Sequence, residues 1–90
     1  MLKGIKYVVE TNSEEDRVEL REYIFSRIKS ASVTNESEHQ LIAIFVEDVW
    51  MLSTVSEDTV SRLRNITRFK SVDKFVEHCE DNQILPSPKY

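Results

Sequence analysis

Cys79 directly follows His78 in a chain that holds one cysteine and two histidines. Thiolate chemistry would need the imidazole to face the sulfur in an accessible, electropositive pocket. Consecutive helical residues point about 100° apart, and Cys79 keeps helical spacing with Val72, Phe75 and Val76. A free cysteine in such a row packs as a small hydrophobe, so Cys79 reads as core. Two histidines and one cysteine without paired spacing do not supply the convergent ligands that a metal site requires. Glu47 and Asp48 end the most apolar run of the chain, where catalytic acids do occur. As neighbours on an extended segment they point to opposite sides, whereas an acid–base pair must converge on one substrate. They read as a charged turn. No catalytic residue, cofactor or metal is assigned, and the expectation is a non-enzyme.

The side chains suited to meeting a partner are cationic and aromatic. Arg17 and Arg21 lie one turn apart, in or beside the apolar arc of a helix, where a guanidinium must find a carboxylate, a phosphate or the rim of the sheet. Trp50 is the only tryptophan, a residue type enriched where interfaces concentrate their energy. It is expected at a homodimer contact on the sheet edge or its uncovered face, against the alternative of a core anchor. Residues 62–75 carry Arg62, Arg64, Arg68, Lys70 and Lys74 against Asp73 alone. Arg64 and Arg68 are expected four apart on one exposed helix face, as the main charged contact surface.

Bulk properties set the class. Ninety residues, 40% hydrophobic and 31% charged with interspersed signs, make one folded domain. Gly4 is the single glycine, which excludes the glycine-rich loops that cradle phosphates and dinucleotides. The lone cysteine cannot form an internal disulfide. The first residues lack a secretory signal's apolar core, and no apolar run approaches the ~20 residues of a membrane span. A cytoplasmic location is expected. Scarce Gly, Ala and Pro suggest an AT-rich genome, and with the small size fit an accessory protein of a virus or mobile element.

The elements that must position these residues surround Leu41–Val46. Leu41, Ala43 and Phe45 alternate with Ile42, Ile44 and Val46, so this strand is apolar on both faces and belongs inside a sheet. Ile5 to Thr11 is a half-buried strand. Ser13 caps a helix that opens on three acids and runs to about Lys29, with Val18, Leu20, Ile24, Phe25 and Ile28 in its buried arc. Ala31 to Asn35 forms a short strand, joined to the central one as a hairpin. Val49 to Val55 is a fourth extended segment. Ser56 caps a helix with Val60, Leu63, Ile66 and Thr67 on its apolar arc. A break near 69–71 and a second cap at Ser71 start the last helix, Val72 to about Asp81. Residues 84–90 form an extended tail after a domain spanning 1–83.

The fold class is therefore α+β: a small, mostly antiparallel sheet of three or four strands (β-α-β-β-(β)-α-α), one long helix and two C-terminal helices. The order is like the opening of a split strand–helix–strand sandwich without its last strand. The expected function is a small protein-binding module, a regulator or inhibitor that occupies a partner protein's surface. The alternative is a nucleic-acid-associated protein using the basic 62–74 cluster. Net charge of −4 argues against the second in general, and the local cluster argues for it.

Overall fold

The computed structural model describes residues 4–35, 40–47 and 49–86. Its elements, in order, are β1 (Ile5–Glu10), α1 (Glu14–Phe25), β2 (Ser32–Asn35), β3 (Leu41–Val46), β4 (Trp50–Val55), α2 (Glu57–Arg62), β5 (Ile66–Phe69) and α3 (Val72–Asp81). Among the described residues they build one five-stranded sheet of order β2-β4-β3-β1-β5. β3 runs antiparallel to both β1 and β4, while β5 is parallel to β1 and β2 is parallel to β4. The class is α+β, but the sheet is mixed: β3 is the one strand running against the other four.

All three helices start as the sequence demands. Ser13, Ser56 and Ser71 each sit in extended backbone and accept a hydrogen bond from the N–H three residues on, at Asp16, Thr59 and Lys74. Each first turn carries at least one acid, where the positive end of the helix dipole favours it. α3 ends at Asn82, whose side chain donates to the His78 carbonyl at 2.9 Å.

The two faces of the sheet carry separate cores. On one face Tyr7, Val9, Ile42, Ile44, Val46, Trp50, Leu52 and Phe69 meet Leu20 and Ile24 of α1 and Val72, Phe75 and Cys79 of α3. On the other, Val8, Leu41 and Ala43 meet Val60 of α2, with Phe45, Val55, Leu63 and Ile66 packed alongside. β3 is buried on both sides, as its unbroken apolar run requires.

Topology explains this division. β1 and β4 are parallel, and the crossovers from β1 to β2 and from β4 to β5 travel in opposite directions along the sheet. Two crossovers of the same hand that travel oppositely must pass over opposite faces. α1 therefore covers one face and α2 the other.

Several local expectations change. β2 does not form a hairpin with β3 but lies at the sheet edge in parallel with β4, with a register irregularity between Val33 and Asn35. The intervening residues 36–39 fall outside those described. α1 ends at Phe25 rather than Lys29, and Val18 and Phe25 point to solvent. Only a narrow stripe, Leu20 and Ile24 flanked by Tyr23 and Ile28, reaches the core. The helix expected through Thr67 stops at Arg62: Leu63 is already extended and Asn65 takes a left-handed φ of 58°. Ile66–Phe69 then forms β5, because alternation puts Ile66 and Phe69 on opposite cores, an arrangement that one helical arc cannot give. The turn at Glu47 is closed by its N–H donating to the Val49 carbonyl at 3.1 Å and leads into β4, the expected fourth extended segment. Ile84 and Leu85, expected in the tail, pack against the larger core.

Candidate functional site

β5 forms one edge of the sheet and is the element around which exposed cations gather. Arg62 is the last residue of α2, Arg64 lies in the connection to β5, Lys70 follows β5, and Lys74 is in the first turn of α3. All four are exposed, as is Thr67 on the strand itself. Lys6 and Val8 of β1 stand beside Ile66 and Arg68 on the inner side. Among the described residues no strand pairs with the outer side, which leaves edge N–H and C=O groups of the kind that accept an added strand.

Arg68 does not belong with this free charge. Its Nε donates to Glu10 Oε2 at 3.2 Å and its Nη2 donates to Glu57 Oε2 at 3.0 Å, while Nη1 stands 3.0 Å from Glu57 Oε1. Hydrogen bonding to Glu57 raises its pKa further above the ordinary arginine value. Arg68 is a clamp joining β1, β5 and α2. The expected pairing of Arg64 and Arg68 on one helix face fails, since one lies in a connection and the other on a strand. The missed partners had only a weak signal in the sequence, because Glu10 is 58 residues away and Glu57 is 11 residues away.

The other proposed contacts also find partners within the chain. Arg17 Nη2 lies 2.9 Å from Glu14 Oε2, and Arg21 Nη2 lies 3.7 Å from Glu14 Oε1. The guanidiniums that had to find a carboxylate have one on their own helix, and the Glu14–Arg17 spacing was visible in the sequence. Trp50 is only 6% exposed and belongs to the core under α1 and α3. It is the core anchor, and its indole is not on the surface where a partner could reach it.

A shallow cleft opens between the C-terminal ends of α1 and α3, lined by Tyr23, Arg27, Cys79, Glu80, Gln83 and Leu85. Arg27 stacks 4.0 Å over the Tyr23 ring and donates to the Tyr23 carbonyl at 3.0 Å. Burial pushes the Cys79 thiol up to about 12, so at neutral pH it is a protonated, weak nucleophile. His78 packs against Tyr7 and Phe69 at ring separations of 5.9 and 5.2 Å. The cleft holds no activated nucleophile.

Among the described residues no three His, Cys, Asp or Glu side chains stand where they could hold a metal ion, and no helix is long and apolar enough to cross a membrane. No protein-family model matches the chain, and comparison with curated proteins and with solved structures finds no significant match.

Proposed function

We propose that this chain is a small protein-binding module, a regulator or inhibitor that acts by occupying a partner, and that β5 is its contact edge. The partner element is an acidic, extended segment that adds alongside β5 between Arg62 and Arg64 at one end and Lys70 and Lys74 at the other. The supporting observation is an edge strand bracketed by exposed cations on a protein that is otherwise acidic. Five cations against Asp73 give residues 62–75 a charge of +4, which leaves −8 for the rest of a chain of net −4.

Two comparisons support this edge over others. β2, at the opposite edge, has its register broken between Val33 and Asn35, and such irregularities blunt strand addition. β5 itself is only four residues long, so backbone hydrogen bonds alone would bind weakly, and charge must add affinity and direction. The same cations oppose antiparallel pairing of β5 with the β5 of another copy. They favour an acidic strand instead. Single-stranded nucleic acid is less well served, because the strand's only aromatic residue, Phe69, is buried and cannot offer a stacking face.

The test is a titration with a labelled peptide of alternating glutamate and valine, beside a lysine–valine control. The glutamate peptide should bind more tightly, and it should slow hydrogen exchange at residues 66–69. Arg64→Glu with Lys70→Glu should weaken it by at least about tenfold, since exposed charge pairs contribute up to ~1 kcal/mol each and reversal adds repulsion. Equal affinity for the two peptides, or an unchanged affinity in a folded double variant, overturns the proposal. Preferential binding of a single-stranded oligonucleotide with a steep salt dependence would favour the nucleic-acid reading.

A further inference from the structure

The outward side of α1 has an unusual composition for a solvated helix face. Val18 and Phe25 are 39% and 42% exposed, and they are the large hydrophobic side chains that stand exposed among the described residues. They are seven residues apart, so two turns of helix bring them within about 20° of the same direction. Glu22 lies between them in sequence, and Glu15, Val18, Glu19 and Glu22 line a shallow groove along the helix, while Arg17 and Arg21, held to Glu14, stand on the other flank. The buried stripe, Leu20 and Ile24, points about 100° or more away around the helix. Neither apolar residue belongs to the core that α1 shares with the sheet.

We propose that this face, Val18 and Phe25 framed by Glu15, Glu19 and Glu22, receives the basic β5 edge of a second copy of this chain. The inference rests on β5 being a docking edge, and it names a further occupant of that edge. Charge selects the occupant. The acidic frame repels the same face of another copy, and the cations around β5 repel another β5. Pairing of like faces is therefore disfavoured, and the pairing of unlike faces is the one that complements. Because the two surfaces lie on separate parts of the fold, a contact made once leaves one of each free and can propagate head-to-tail, while the same contact made reciprocally closes as a two-fold dimer. The long-range repulsion of a net charge of −4 makes it weak and confines it to high local concentration. Half-buried Leu63 and Ile66, beside the cations, offer apolar surface to Val18 and Phe25. Self-association would also cover the edge that an outside partner uses, so the two would compete.

Sedimentation velocity of the full chain from micromolar to submillimolar concentration, at low and high salt, tests this without any peptide. Wild type should shift to larger species as concentration rises, and high salt should reverse the shift. Glu19→Lys with Glu22→Lys, and separately Arg64→Glu with Lys70→Glu, should each weaken association by at least about tenfold. Mixing the two variants should restore a complex that stops at two subunits, because each retains one working surface. Phe25→Ser should weaken association at unchanged thermal stability. In the wild type, concentration-dependent amide shifts should fall on residues 15–25 and 62–70, which gives a reading independent of any variant. A monomer at every concentration in low salt, variants that associate like wild type, or a mixture that stays monomeric would overturn the proposal. Peptide binding at β5 with no self-association would leave the partner reading intact and remove only this one.

Discussion

Arg68 on β5 grips Glu57 on α2 with both ends of its guanidinium, at 3.0 Å to each carboxylate oxygen. Its Nε simultaneously holds Glu10 of β1 at 3.2 Å. The fork ties the first turn of a six-residue helix to the sheet. Apart from this clamp, α2 is held chiefly by Val60, with Leu63 just beyond its end. A helix this short has little stability of its own, so its position depends on these few anchors. One arginine that looked like a docking residue is instead part of the architecture.

Replacing Arg68 with alanine should lower stability modestly, by about 1 kcal/mol or less for each of two solvent-screened pairs. The loss should shrink as salt is added. Thermal melts of wild type and variant at two salt concentrations would measure it. A salt-independent difference would mean that packing of the arginine stem, not charge, holds α2.

Trp50→Ala should cost about 3–5 kcal/mol, as expected for truncating a large buried aromatic. Against a typical domain stability of ~5–15 kcal/mol, much of the folded population is at risk. Trp50→Phe should be far milder. Urea denaturation followed by circular dichroism would measure both. A small effect of the alanine variant on stability, coupled to loss of self-association, would return Trp50 to an interface.

The chain should lose stability in alkaline solution through Cys79. Burial raises its pKa from 9.0 to about 12, so between these values the unfolded chain releases the thiol proton while the folded chain keeps it. Linkage then makes the contribution full below pH 9 and declining as pH rises toward 12, by about 1.4 kcal/mol per pH unit for one proton. Burial also raises the pKa of Tyr7 and Tyr23 above the usual 10.0, in the same sense. Denaturation of wild type and Cys79→Ala at pH 7, 9 and 10 should show a shallower decline in the variant. Parallel curves would show that the thiol does not drive the loss.

What the sequence by itself determined is what depends on neighbours along the chain. Three serine caps followed by acids set where helices begin, because an N-cap acts within three residues. The apolar run Leu41–Val46 marked the doubly buried strand, because alternation shows both faces at once. Cys79 was legible as core from its spacing with Val72 and Phe75. Tertiary structure alone decided which strands pair, and so decided the site. β2 looked like the hairpin partner of β3 because a short link joins them, yet its ladder is with β4. Pairing depends on backbone groups that are alike in every residue, so local side-chain patterns select a partner only weakly. The segment 60–69 satisfied a helical arc and a strand alternation together. The second core, Val8, Leu41 and Ala43 under Val60, settled the matter by drawing α2 across one face and delivering Ile66–Phe69 to the edge beside β1. That placement paired Arg68 with Glu10 and Glu57, while α1 and α3 on the other face buried Trp50. It also left Arg62, Arg64, Lys70 and Lys74 around an open strand, because charges distant in sequence meet only when the sheet brings them together.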